Sequence, residues 1–247
     1  MTSFTILIAD KKVAINALYD STKQFCKDYL CDGTCDFSLS VTPQDIAFER
    51  EKSAIEDEIE GISTRHFSDE YLETLAVYRK IADAMISYNT LLFHGSVISV
   101  DGEAYLFTAK SGTGKSTHTR LWRKAFGSRA FMVNDDKPLL KVTDTGVYAC
   151  GTPWDGKHHL SNNCMVPLKA ICILERGEQN NIISVTGKEA LPMLLQQSYR
   201  PSNPLGLTQL LSIIDELTKQ VSFYRLKCNM EPEAAMVSYE GMQRKED

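Results

Sequence analysis

Apolar residues along the chain fall into two kinds of run: short continuous or alternating stretches, which mark strands, and three- and four-residue steps, which mark helices. Phe4–Ala9 and Cys35–Val41 read as strands. Residues 43–60, PQDIAFEREKSAIEDEIE, are charged with sparse apolar positions and read as a solvated helix or a mobile connection. Ser68 opens a helix with Asp69 and Glu70 in its first turn, where acidic groups complement the helix dipole. Tyr71, Leu75, Tyr78, Ala82 and Met85 continue it at helical spacing and predict one buried stripe.

From residue 91 the punctuation sharpens. Val97–Val100 and Glu103–Phe107 are short strands about Asp101-Gly102, the dipeptide preferred by a type I′ hairpin turn. The second strand runs into TAKSGTGKST, and Thr117–Phe126 reads as a helix closed by Gly127. Strands are predicted at Ala130–Val133, Pro138–Val142, Val147–Cys150, Leu168–Leu174, Ile182–Val185 and Val221–Cys228. Helical stretches are predicted around 188–199 and 206–219, the second through Leu207, Leu210, Leu211, Ile214 and Leu217, with a short helix at the end. No Pro/Gly/Ser-rich linker interrupts residues 91–247, which therefore read as one domain preceded by an accessory α+β domain over 1–90.

Composition narrows the function. Of 247 residues, 27 are Lys or Arg and 32 Asp or Glu, a net charge of −5, so a nucleic-acid partner held by charge is not expected. No apolar run approaches the ~20 residues that span a bilayer, and MTSFTILIADKK lacks the basic start of a signal peptide. The expectation is a cytoplasmic protein with no membrane partner. Seven cysteines at irregular spacings suit a reducing compartment, and Cys26, Cys31 and Cys35 read as buried or incidental thiols.

The candidate chemistry lies in Ala109-Lys110-Ser111-Gly112-Thr113-Gly114-Lys115-Ser116-Thr117. Between a strand and a helix, such a segment is a phosphate-binding loop. Gly112 and Gly114 let backbone N–H groups wrap a phosphate, and the helix N-terminus that follows favours the anion. Lys115 reaches the β and γ oxygens, Ser116 offers a hydroxyl to Mg²⁺, and Ser111, Thr113 and Thr117 complete the nucleotide-binding set. The strict pattern has Gly where Ala109 stands. About twenty residues on, Asp135 and Asp136 close a predicted strand, where one carboxylate could serve a metal and the other accept a proton.

SGTGKST, the strand-ending NDD, and Phe93-His94-Gly95 ahead of the hairpin together resemble the catalytic domain of HPr kinase/phosphorylase. The loop is also similar to that of ATP-dependent phosphoenolpyruvate carboxykinase. The resemblance covers roughly residues 91–175 well. It implies a mixed α/β, P-loop-containing core rather than an all-parallel sheet, use of ATP with Mg²⁺, and a kinase-type reaction. Position by position it implies phosphate and metal roles for Lys115 and Ser116. Asp135 takes the role of catalytic carboxylate, Asp136 lies near the metal, and His94 beside the reacting groups. His118, Arg120 and Trp122 read as structural. The family often assembles into rings, so a homo-oligomer is a further expectation.

The glycine-and-arginine signature that follows the aspartates in HPr kinases is not recognisable here. Gly151-Thr152-Pro153-Trp154-Asp155-Gly156-Lys157-His158-His159 stands in its region. It reads either as a loop closing over nucleotide or acceptor through Trp154 and Lys157, or as an ordinary Asp-Gly turn. The expected function is therefore an ATP-dependent kinase acting on a hydroxyl of a peptide, protein or small molecule. The alternative is a nucleotide-binding switch or slow ATPase with no acceptor.

Overall fold

Ala9 and Asp10 both take positive φ, 47° and 61°, and fold the chain back so that β1 (Thr2–Ile8) pairs antiparallel with β2 (Lys11–Ala17). Sequence reading misses β2, because a two-residue turn without glycine gives no turn signal. The computed structural model describes residues 1–243, and the chain divides into two compact units, Met1–Ala84 and Met85–Asp247.

In the first unit α1 (Asp20–Phe25) leads to β3 (Phe37–Ser40), which pairs parallel with β2. α2 (Pro43–Glu60) is a regular helix. It starts on a reciprocal cap, the Thr42 side chain accepting from Asp45 N–H while the Asp45 carboxylate accepts from Thr42 N–H, and it ends at Gly61 in the left-handed region. α3 (Asp69–Met85) begins at Asp69 after Ser68 as expected, but its inner face is broader than the expected stripe and leaves out Tyr71. Ala82 and Met85 of the expected stripe are buried together with Leu72, Ala76, Val77 and Ile81, Leu75 and Tyr78 are half-buried, and Tyr71 is 47% exposed and packs on Phe67. Arg79 joins α3 to α2 through Glu49 and Asp45.

The second unit is a mixed α/β fold. Its strands are β4 (Thr90–Leu92), β5 (Ser96–Val100), β6 (Glu103–Thr108), β7 (Ala130–Asn134), β8 (Leu139–Thr143), β9 (Gly146–Cys150), β10 (Met165–Arg176), β11 (Asn181–Val185) and β12 (Ser222–Cys228). Asp101 and Gly102 carry the positive φ values that a type I′ turn requires between β5 and β6. The long β10 belongs to two sets of neighbours. Met165–Pro167 pair with β9, while Leu168 onward lies between β6 and β12, so the sheet curls there. β6, β10 and β12 are parallel, and β5 sits antiparallel between β6 and β7. β7 therefore runs in the direction of β6, and the carboxyl ends of β6, β7, β10 and β12 share one edge.

Alternate side chains of these strands enter two cores. Leu106, Ile171 and Ile173 face α5 (Gly187–Gln197) and α6 (Pro204–Gln220), and Tyr105, Phe107, Cys172 and Leu174 face α4 (Lys115–Phe126) and α7 (Glu233–Gln243). On α6 the buried residues are Leu210, Ile213, Ile214 and Leu217, while Leu207 and Leu211 of the expected stripe are 41% and 48% exposed. Trp122 is fully buried among Tyr105, Phe107, Phe126 and Tyr239, and its Nε1 donates to Ser238 Oγ at 2.8 Å, which fixes α4 against α7. Among the described residues no helix is long and apolar enough to cross a membrane.

Candidate functional site

Because β6 and β7 point the same way with β5 between them, the loop after β6 and the aspartates after β7 reach one edge, at the start of β5 where His94 and Gly95 lie. Gly112 and Gly114 take φ of 73° and 121°, a conformation that side chains resist. Thr113 N–H and its hydroxyl both bond to Lys110 O, and His118 N–H bonds to Gly114 O where α4 begins. Ala109 is wholly buried in the core under α4 and α7, so a small side chain fits at the position where the strict pattern has glycine. Arg176 at the end of β10 donates to Gly112 O at 2.7 Å and ties the loop to the neighbouring strand.

Asp135 is 5% exposed. Its Oδ1 accepts from Ser96 Oγ at 2.6 Å, and the Ser116 hydroxyl donates to it as well. Burial is the largest influence and pushes its carboxyl above the usual range, with these two hydroxyls pulling the other way. Asp136 is half-buried, and His94 Nε2 lies 3.3 Å from its Oδ1. Burial alone would raise Asp136 too, but the His94 hydrogen bond, with Lys137 and Lys115 nearby, holds it below the usual range. Burial lowers the Lys115 ammonium, against the pull of Asp136 and Asp135. One carboxylate is thus enclosed by hydroxyls, and the other faces cations.

The strand-end turn is built by side chains that sequence reading does not single out. Asn134 Oδ1 accepts from the backbone N–H of Asp136 and of Lys137, and its Nδ2 donates to Thr152 O. Gly95 N–H bonds to Asp136 O, and Thr108 Oγ1 to His94 O. Ser96 is the other residue missed; its only sequence signal is that it follows His94-Gly95. His118 and Trp122 are buried and Arg120 is exposed.

The 151–164 segment lies against the same edge. Gly151 N–H bonds to Cys164 O, and Asn162 N–H to Val133 O. A Cβ on Gly156 would lie 3.2 Å from Asp136 Cβ, so the turn touches the aspartate. Trp154 is 7% exposed, whereas Lys157 and His158 are exposed. Asp155 is buried and accepts from Ser161 Oγ at 2.9 Å, with His159 Nδ1 at 3.3 Å. The structure therefore packs Trp154 inward and leaves Lys157 free to reach outward.

Among the described residues no group of three or more His, Cys, Asp or Glu is arranged to hold a metal. Mg²⁺ asks for less, one or two carboxylates with hydroxyl, phosphate and water oxygens. Ser116 and the enclosed Asp135 are hard oxygen donors of that kind, and a carboxylate destabilised by burial gains from a cation.

A family model described as SynChlorMet cassette protein ScmC matches residues 63–233, the greater part of the chain. None of the curated proteins matches it. Among solved structures, the Hpr(Ser) kinase/phosphatase from Coxiella burnetii is similar over 52% of this chain and 91% of that one, at 13% sequence identity and a TM-score of 0.29.

Proposed function

The chain belongs to the SynChlorMet cassette protein ScmC family, and we propose that it is an ATP-dependent kinase acting on a hydroxyl of a peptide, a protein or a small molecule. The observation that carries this reading is the meeting of the 109–117 loop with two carboxylates in unlike surroundings, Asp135 bonded to Ser96 and Ser116 and Asp136 to His94. A site that only binds nucleotide needs one carboxylate near the metal; transfer uses a second for the acceptor proton. Residues 91–247 are the catalytic domain in this reading, and residues 1–90 an accessory domain without catalytic groups.

The loop amides and Lys115 hold the phosphate chain, and the N-terminus of α4 adds its positive end. Ser116 and Asp135 would hold Mg²⁺, which when bound neutralises charge on the β and γ oxygens. Burial supports a division of labour opposite to the one the resemblance implies. Asp135 is too enclosed to meet an incoming hydroxyl, so Asp136 accepts the proton, with His94 fixing its orientation. The acceptor oxygen then bonds to the γ phosphorus while the bond from that phosphorus to the bridging oxygen breaks, and ADP leaves with the electron pair.

The test is turnover of Mg-ATP with serine peptides and small polyols, following both ADP and phosphorylated product. Acceptor-stimulated ADP release, with the phosphoryl group recovered on the acceptor, is expected. Hydrolysis at one rate whatever acceptor is added would favour the nucleotide switch and overturn the kinase.

A further inference from the structure

α2 turns Ile46, Glu49 and Asp57 inward. Another side of the same helix carries Phe48, Ile55 and Ile59, with Ile62 just past the cap at Gly61. Phe48, Ile55 and Ile62 are each about half exposed, and Ile59 is 80% exposed. Single apolar side chains on a surface need no explanation, but a continuous row of them marks an interaction site. At 3.6 residues per turn, Phe48, Ile55 and Ile59 fall within about 40° of one another around the helix axis. They form one stripe.

Both ends of the row are fixed. The Arg79 guanidinium stands 4.7 Å over the Phe48 ring and is itself held by Glu49 and Asp45. At the other end Ile62 N–H bonds to Asp57 O at 3.0 Å. The Asp57 carboxylate in turn accepts from Arg65 N–H at 2.7 Å and from Arg65 Nε at 2.8 Å. After a left-handed cap, the residue in Ile62's place usually packs back on an apolar side chain of the last turns. Asp57 and Glu56 stand there instead, so Ile62 stays outside and lengthens the row.

The row also has heptad spacing. With Phe48 and Ile55 at d positions, Lys52 and Ile59 are a positions and Ile62 is the next d. The e and g positions beside them are Glu49, Glu51, Glu56 and Glu58, all acidic. Glu49 is buried against Arg79, whereas Glu51, Glu56 and Glu58 are exposed. In paired helices the e and g charges choose the partner, and a lone Lys at an a position sets the register. A second copy of α2 would set glutamates against glutamates. A lipid surface calls for Lys and Arg on the polar face, which this helix lacks.

We propose that α2 is a docking helix for a basic amphipathic helix of a partner protein, one with aliphatic side chains at its a and d positions and Lys or Arg at e and g. Such docking is independent of phosphoryl transfer.

Fluorescence anisotropy on the full chain tests it with two labelled peptides of about three heptads, both with Ile at a and Leu at d. One carries Lys at every e and g position and the other Glu. The Lys peptide is expected to bind at least about tenfold tighter at low salt, with the preference shrinking as salt is added. Ile55→Ser combined with Ile59→Ser should weaken the Lys peptide at least about tenfold, because two anchors of the seam are lost. Both side chains already face solvent, so the melting temperature of this variant should match the wild type. Glu51→Lys combined with Glu58→Lys should reverse the preference between the peptides. Equal binding of the two peptides, unchanged binding by the Ile variant, or no binding of the Lys peptide would each overturn the docking helix. Sedimentation of the wild type as a dimer that the Ile variant dissociates would overturn it too, since the seam would then belong to a second copy.

Discussion

Ser96 Oγ donates to Asp135 Oδ1 at 2.6 Å, from a residue 39 positions earlier in the chain and with no exposed surface of its own. The same hydroxyl lies 3.1 Å from Thr119 Oγ1 on α4. One small side chain at the start of β5 thereby joins this edge of the sheet to α4, the helix that follows the 109–114 loop, and it encloses Asp135.

The enclosure predicts a stability change. The folded-state pKa of Asp135 lies above its unfolded value. The folded form therefore gains from its proton below the unfolded pKa, and this contribution is lost as pH rises through the folded pKa. At neutral pH the buried charge costs stability, so Asp135→Asn should raise the metal-free melting temperature, while Mg-ATP should stabilise the variant less than the wild type. Thermal melts with and without Mg-ATP measure both. Equal stabilisation by Mg-ATP would count against a metal role for Asp135.

Asp136→Asn should slow transfer by about 10²–10⁴, the usual value of general-base help, and leave donor affinity near wild type. Single-turnover transfer at saturating Mg-ATP and acceptor provides the measurement. Transfer at wild-type speed would remove Asp136 from the proton step.

Lys115→Ala should weaken Mg-ATP binding by about 10–150-fold, since a hydrogen bond to a charged group contributes about 1.5–3 kcal/mol. Calorimetry reads this directly. Unchanged affinity would show that phosphate binds elsewhere.

In the first unit Glu73 is wholly buried and accepts from Leu18 N–H at 2.6 Å, Tyr19 N–H at 3.2 Å and the Thr22 hydroxyl, anchoring the start of α1. Glu73→Ala strands these donors at about 1–3 kcal/mol for each left without a partner. Urea unfolding should show a loss of roughly 3 kcal/mol or more. A loss below 1 kcal/mol would mean that water replaces the carboxylate without penalty, contrary to the usual cost of about 1–3 kcal/mol.

Gly151 is fixed by space. A Cβ there would stand 1.9 Å from Asn162 O and 2.8 Å from Val133 O, both backbone atoms. Gly151→Ala should cost at least about 1–3 kcal/mol, as overpacking does, and lower transfer by shifting the turn that touches Asp136. A variant with wild-type stability and rate would show that the 151–164 segment can move away freely.

The sequence by itself determined the local pieces. Asp101-Gly102 specified the hairpin, two glycines the loop and Gly127 the end of α4, because each depends on φ values or caps set within a few residues. It left β2 unread because Ala9 and Asp10 turn without glycine, and on α3 it placed Tyr71 in the buried stripe where Leu72 is the buried residue, because both fit helical spacing. The candidate residues His94, Lys115, Ser116, Asp135 and Asp136 were all legible, each within a short motif. Which carboxylate meets Ser116 and which meets His94 was not. That choice depends on β5 lying antiparallel between β6 and β7, and on which of two successive side chains at the end of β7 turns inward. Pairing across a sheet is set by contacts far apart in sequence, so only the tertiary structure decides it.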